Sequence, residues 1–502
     1  MSTDVSESVE FKGLDDLVLK LRATVECALR EGTAIDHVEE DIFAQLLGMG
    51  HLLLGSLFDA MKLGDVGPTL EKNGKTLRRL PETTKRSYHS VFGNFELERF
   101  SYGSRQSQKH QAVPFEEHIG LPPTGFSLLL ESWIGQLATD ESFHEACSKL
   151  ERILKLTIHV DSAEGIVNRL GKAAASVLES PPSIDWENEA EVLVQTSDNN
   201  GIVLRNEFPQ EKPKPVGAPS ETHGPKPNCK RMACMAGVYS VDRNPRTPGQ
   251  ILDLLFHSHD YPALEGKAPR PKNPRYFARL TMVDAVGKQV GKSGEEQSQQ
   301  WMTASTIRRR RRGQTLVVMH DGQPSLWENE KKLQEGWEQI EILDLLHVIP
   351  RIWTAAKILH PNTVETYVKD TLHLILMGGL RLVLMGFRRM TTMRKLPKLQ
   401  EKEMRTLINY LETNKSRMKY NEYLEAGLPI ATGFIEGACR HVIKDRLERT
   451  GMRWTRHGAQ SLLNLRCIEA SELWEPMMND YRNVVLGRDR RNYFDLLATM
   501  AA

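Results

Sequence analysis

Three acids set far apart in the chain are the residues best suited to chemistry: Asp198, Asp321 and Glu436. Asp198 follows the apolar run EVLVQTS (191–197), and Asp321 follows QTLVVMH (314–320). Both runs have the length and β-branched content of short strands. Glu436 opens a helical pattern within residues 433–456, where six Lys/Arg accompany three acids. Carboxylates are hard oxygen ligands that suit Mg²⁺, an ion that keeps several waters and completes its shell with phosphate. Two such ions activate a water or a 3′-hydroxyl and stabilise the leaving oxygen of an in-line displacement. A helix with a carboxylate at one end and arginines at the other can serve a metal and a phosphate backbone together. The expectation is metal-dependent phosphoryl transfer on nucleic acid, with two Mg²⁺ ions as cofactor and Mn²⁺ as a substitute.

The acids need elements that bring them together. The reading places a first strand at 191–197, a turn at Asn199-Asn200-Gly201, a second strand at 202–205 and a third at 235–241. Helices follow at 247–257, 276–286 and 297–312, the last ending in five arginines, Arg308 to Arg312. A fourth strand spans 314–320 and a fifth 340–343, with Asp344 and His347 just beyond it. Carboxylates at the ends of the first and fourth strands, with a third on a later helix, make an RNase H-like arrangement, because those two strands are neighbours in such a sheet. The expected fold class is therefore α+β and multidomain: an RNase H-like mixed sheet flanked by helices, with a helical insertion.

Upstream, residues 1–125 read as an N-terminal α/β module, with two helices in 14–62 and a β-hairpin over 86–102 turning at Gly93-Asn94. Residues 126–182 read as three helices resembling a helix-turn-helix, the second capped by Thr139 or Asp140 and the third starting at Asp161 and Glu164. That third helix is expected to bury Ile166, Val167 and Leu170 and to turn Arg169 and Lys172 outward to DNA; a plain helical bundle fits the same pattern. The catalytic core is expected over 186–349, with a Pro/Lys-rich disordered excursion at 207–230. A helical insertion follows at 350–428, in which 372–387 reads as one buried helix. The core resumes at 429–470, and 471–502 is a tail.

Each singled-out residue also has a structural reading. Asp198 and Asp321 fit turn positions, and Glu436 fits a first-turn acid facing the helix dipole. On a helical wheel Ile435, Ala438, Cys439, Val442 and Ile443 share one face, which fails at Arg446 and Arg449. The helix is expected to leave the domain there and present Arg440, Lys444, Arg446, Arg449, Arg453 and Arg456 to DNA. Arg308 to Arg312 fit either phosphate contacts or a solvated helix end. Trp454 suits the core, and Cys229 with Cys234 suits free thiols better than a zinc site.

The segment IEGACRHVIKDRLERTGMRW, with GAQSLLNLR after it, resembles the C-terminal signature of DDE transposases of bacterial insertion sequences of the ISKra type. VVMHDGQPSLW (317–327) resembles the second-aspartate motif of that family, and VYSVDRNPRTPGQILDLLF (238–256) its third strand and following helix. The resemblance covers residues 85–470. It implies Asp198, Asp321 and Glu436 as the catalytic, metal-binding acids, and Asp344 and His347 as a D-x-x-H element beside them. It further implies cleavage at element ends, attack of the freed 3′-hydroxyl on target DNA, and a homodimer or larger assembly. The sequence departs from the pattern in TSDNNG around the first acid and in His320 before the second. The rival readings are a DNA-binding protein that has lost catalysis and a hydrolytic nuclease of the same fold.

Composition sets the outer limits. The 502 residues are 40% hydrophobic and 26% charged, as in soluble globular proteins. The net charge of +1 means that nucleic-acid affinity must come from local clusters. Six cysteines make no disulfide scaffold, the first residues are polar and acidic, and 372–387 is too short to span a bilayer. A cytoplasmic protein with no membrane partner is the expectation.

Overall fold

A computed structural model describes residues 13–72, 74–104, 111–183, 186–205, 230–257, 260, 268–449 and 451–500, the side chains of 186 and 488–500 excepted. The expected excursion at 207–230 falls almost wholly outside the described residues, and Cys229 wholly so. The chain divides into two compact units, residues 1–170 with 475–502, and residues 171–474.

The first unit opens with α1 (Leu14–Glu31) and α2 (Ile35–Ala60). Helix α1 buries none of its residues, and α2 leaves Ile35, Phe43, Leu46, Leu53 and Leu57 exposed. Among the described helices, α2 alone has the length and apolar composition to cross a membrane. Its C-terminal end instead packs Phe58 against Tyr88, Leu97, Phe115 and Leu121. The strands here are β1 (Thr69–Lys72), β2 (Lys75–Arg79), β3 (Thr84–Ser90), β4 (Gly93–Arg99) and β5 (Tyr102–Gly103). The β3–β4 hairpin turns at Val91-Phe92; Gly93, expected in the turn, already pairs with Ser90.

Helices α3 (Pro114–Ile119), α4 (Leu128–Asp140), α5 (Phe143–Leu154) and α6 (Val160–Glu179) follow. The cap of α5 is Ser142, not Thr139 or Asp140, because Ser142 and Glu145 close a reciprocal capping box. Helix α6 straddles the division between the units.

The second unit is α+β around a mixed five-stranded sheet. Its elements are β6 (Val192–Val203), β7 (Lys230–Val241), α7 (Pro248–Phe256), β8 (Lys272–Leu280), α8 (Gly294–Arg309), β9 (Thr315–His320), α9 (Pro324–Leu333) and β10 (Ile340–Leu343). The strand order is β10-β9-β6-β7-β8, with β6, β9 and β10 parallel and β6-β7-β8 antiparallel. Two expectations fail here. The Asp-Asn-Asn-Gly stretch is no turn: residues 198–201 continue β6 and pair with Met235 back to Met232 of β7. The expected helix at 276–286 is not helical: its first part, Tyr276 to Leu280, ends strand β8 and pairs with β7. The two errors offset each other, so five strands remain, but the second and third are different residues from those expected.

Four helices then form the insertion: α10 (Leu345–Leu359), α11 (Val364–Leu376), α12 (Leu380–Met393) and α13 (Lys398–Thr413). The stretch 372–387 is not one helix; Gly378, at φ +85°, breaks it between α11 and α12. The inner faces of all four, among them Ile352, Leu372, Phe387 and Leu407, join Val192, Val317 and Ile342 of the sheet in one core. After α14 (Tyr420–Glu425) come α15 (Gly433–Ala438), a π-helical turn at Cys439–Lys444, α16 (Asp445–Leu447), α17 (Arg456–Ala470) and α18 (Trp474–Met500). The last of these stands where a tail was expected.

Candidate functional site

Strand register brings the acids together. In the parallel ladder Ser197 pairs with His320, and His320 pairs with Leu343. The next residue on each strand is an acid: Asp198, Asp321 and Asp344. Parallel neighbours lie about 4.8 Å apart, so three carboxylates leave the sheet side by side. Asp198 lies inside β6 rather than at its end, but it is the first residue beyond the pairing with β9.

Ligand atoms of Asp198, Asp321 and His347 all lie within 4.8 Å of one another, and so do those of Asp344, His347 and Glu436. Glu436 thus joins the other two acids through His347, which belongs to both groups. His347 reaches the site because Asp344 caps α10, accepting from Leu346 N at 2.9 Å, and His347 comes one turn later. Glu436 arrives on α15, whose preceding residue, Thr432, donates its hydroxyl to Asp344. Phe434 of α15 stacks on Tyr276 at 4.8 Å and against Tyr239 at 4.2 Å. Gly237 leaves room for it, since a Cβ there would lie 2.7 Å from the Phe434 ring.

The hydrogen bonds sort these carboxylates into two kinds. Asp344 is buried and engaged on both oxygens, with Leu346 N on one and Thr432 and His347 on the other. Asp198 accepts from Asn199 N at 2.7 Å and Asp321 from Gln323 N at 2.8 Å, each through Oδ1. The other oxygen of Asp198, Oδ2, accepts from the Cys439 Sγ at 3.8 Å. His347 Nδ1 sits 3.2 Å from Asp344 Oδ2, which leaves Nε2 as its free nitrogen. This donor set of carboxylate oxygens and one imidazole fits a divalent cation.

The charges respond to one another. The hydrogen bond to Asp344 raises the His347 pKa to about 9 against the effect of burial, and the carboxylates of Asp344, Asp198 and Asp321 push the same way. Burial raises Asp198, opposed by the Asn199 amide and His347 and reinforced by Asp321 and Asp344. Burial and then Asp344 raise Glu436. A cation entering the cluster relieves this crowding of negative charge.

Some contributors escape sequence reasoning. His320, in sequence only a departure from a family pattern, is buried and ties the strands together one residue before the acids. Its Nδ1 accepts from Ser197 N at 3.0 Å, and its Nε2 faces Glu330 at 3.7 Å. Cys439 reads as core alone in sequence; burial and the Asp198 charge hold its thiol protonated. Tyr410 of α13 packs on Gly322, where a Cβ would fall 2.7 Å from the ring Cζ and closer still to Cε2. Trp327 donates to the Asp321 carbonyl at 2.7 Å. The aromatic types alone carry no signal for either contact.

The basic residues divide sharply. Arg440, Lys444, Arg449, Arg453 and Lys172 are exposed, with Arg440 3.9 Å from Asp445. Arg446, expected to point outward, is only 1% exposed, with its guanidinium 4.8 Å over the Trp454 ring. The π-helical turn at 439–444 shifts the phase of the helix, so a wheel drawn at the α-helical pitch misplaces the residues beyond that turn. Arg456 is also buried and donates to the Thr281 carbonyl. Arg169 is held by fully buried Glu131 rather than presented outward.

The five-arginine run is mixed: Arg308 and Arg312 are exposed, Arg310 and Arg311 half-buried, and Arg309 buried. Arg309 is buried and grips Glu189 with 2.9 and 3.1 Å hydrogen bonds. Arg311 donates to the Glu189 carbonyl, and Arg310 lies 5.3 Å over Trp337. No protein-family model matches the chain, and no curated protein matches it.

Proposed function

We propose that the chain is a DDE-type DNA transposase with an RNase H-like catalytic core. It cuts DNA with a divalent metal, Mg²⁺ first and Mn²⁺ as substitute, and joins the freed 3′-hydroxyl to target DNA. The observation that carries the reading is the shared register of β6, β9 and β10, which sets Asp198, Asp321 and Asp344 in a row. The sheet order and its pattern of parallel and antiparallel pairs support the fold assignment. The C-terminal sequence signature supports the choice of transposase over a nuclease.

On this reading Asp198, Asp321 and Glu436 hold the metal, and His347 borders both halves of the site. A bound divalent ion supplies Lewis-acid stabilisation of the attacking and leaving oxygens. Asp344 orients His347 and anchors Thr432 ahead of the Glu436 helix, so it acts by positioning. The Asn199 and Gln323 amides fix the Asp198 and Asp321 carboxylates.

The test is a nicking and strand-transfer assay with purified protein, Mg²⁺ and duplex DNA carrying the ends of the encoding element. Wild type is expected to nick and join. Asp321→Asn is expected to lose at least about 10³-fold in rate, the scale of a lost electrostatic group in a site, while still binding DNA. Wild type that binds ends but never cuts points to a protein that has lost catalysis. Nicks without joined products point to a hydrolytic nuclease.

A further inference from the structure

We infer that the groove between α12 and α13 of the helical insertion binds the phosphate backbone of duplex DNA. This rests on the proposed action on DNA and adds a surface that the catalytic residues do not include. The insertion, residues 350–428, holds 14 Lys/Arg against 7 Asp/Glu, in a chain whose totals are 66 and 65. Residues 371–400 contain no acid at all and six bases: Arg381, Arg388, Arg389, Arg394, Lys395 and Lys398. All six are exposed.

The groove is open, with a volume of about 610 Å³. Arg388, Lys395 and Arg405 line it, with Thr391, Thr392 and Asn409 between them. Guanidinium, ammonium, hydroxyl and amide donors are the groups that hold phosphate oxygens. Two acids temper the charge at its rim. Arg405 pairs with Glu401 at 2.6 Å, and Arg388 with Glu412 at 2.6 Å. Both pairs are solvent-exposed, so each costs little to exchange for a phosphate. Among the described residues Lys395 makes no ion pair.

The groove is joined to the chemistry by a single helix. Arg405 and Asn409 line it from α13, and Tyr410 of the same helix packs on Gly322 beside Asp321. Arg405 and Tyr410 are separated by about 7.5 Å along the axis, at about 1.5 Å per residue. Duplex DNA carries a charge every 1.7 Å or so of its length, so each basic residue lining the groove can meet a phosphate. Leu382, Met385, Met393 and Leu399 are exposed on the same stretch, which makes an anionic membrane the competing occupant; the mostly polar lining of the concavity favours the duplex.

The test uses the full chain and a fluorescein-labelled 30-base-pair duplex of arbitrary sequence, read by anisotropy in EDTA from 50 to 200 mM KCl. The variant is Arg388→Gln/Lys395→Gln/Arg405→Gln. The control removes equal charge from α1, as Lys20→Gln/Arg22→Gln/Arg30→Gln. The groove variant is expected to bind at least about 10-fold more weakly at 100 mM KCl, with the salt slope reduced by about 2 to 3, near 0.9 per phosphate contact. Lys395→Glu alone, at an exposed side chain, is expected to shift both the same way and covers misfolding of the triple variant.

Affinity and slope no different from the α1 control, in a wild type that binds and nicks DNA, overturn the groove and leave the function standing. Stronger binding to phosphatidylserine vesicles than to the duplex overturns it in favour of a membrane. A wild type that neither binds nor nicks DNA removes the functional reading together with the groove.

Discussion

Arg308 to Arg312 and the acid-free stretch 371–400 are both rich in positive charge, and the protein uses them in opposite ways. The five-arginine run is the more conspicuous in the sequence, yet Arg309 is buried against Glu189 and Arg310 and Arg311 lean on Trp337 and the Glu189 backbone. The second stretch spreads its charges over a helix and its exit, and all six remain on the surface. Density of charge therefore says little about availability. An arginine flanked by arginines still goes inside when a buried carboxylate and backbone carbonyls await it, as Glu189, Val238 and Asn273 await Arg309. The place of the opposing carboxylate is the better guide: Glu189, 120 residues away in sequence, is buried and draws Arg309 in, whereas Glu412, the partner of Arg388, is itself at the surface.

This contrast can be broken or sharpened by substitution, in falling order of effect. Arg309→Met should destabilise the fold by about 3–5 kcal/mol, because it strands Glu189 without its partner; urea unfolding measures it, and a change below about 1 kcal/mol would mean the pair is dispensable. Arg446→Met should cost about 2 kcal/mol, the scale of a desolvated cation–π contact, seen as a lower urea midpoint at unchanged slope.

His347 stands between the buried and the exposed groups. Its folded pKa near 9 lies above the ordinary 6.5, so its pairing stabilises metal-free protein fully below about pH 6.5 and less as pH rises through about 9. The stability gap between wild type and His347→Gln in EDTA should therefore shrink from pH 6 to pH 9.5; a constant gap would refute the pairing. Smallest of all, Arg388→Gln/Lys395→Gln/Arg405→Gln should change stability by less than about 0.5 kcal/mol, as surface changes do, even as duplex binding weakens.

How much is legible in the sequence divides along the same line between local and distant causes. The Asp344–His347 pair enters the sequence reading through the family resemblance, and it forms within one local unit, a helix cap and its first turn. The Asp198 stretch misleads because Asn-Asn-Gly favours a turn in isolation, whereas β7 offers it a full ladder of partners. The β8 stretch misleads for a related reason: a short apolar run suits helix or strand equally until a neighbouring strand decides. The acids of the site stand out in sequence, and the meeting of Asp198 with Asp321 is expected once their strands are taken as neighbours, but the residue-by-residue register Ser197–His320–Leu343 that adds Asp344 to the row is not legible. Arg446 is misplaced by one irregular turn, a feature with no sequence marker in CRHVIK.

Gly322 carries a consequence of its own. With no side chain there, the loop after Asp321 lies flush against the Tyr410 ring, and even one methyl group would collide with it. The insertion and the loop after Asp321 therefore meet as a bearing without clearance. Any tilt of α13 bears directly on the backbone next to Asp321. Strain applied at the rim of the insertion is thus delivered to the acid that must stay in line with its neighbours.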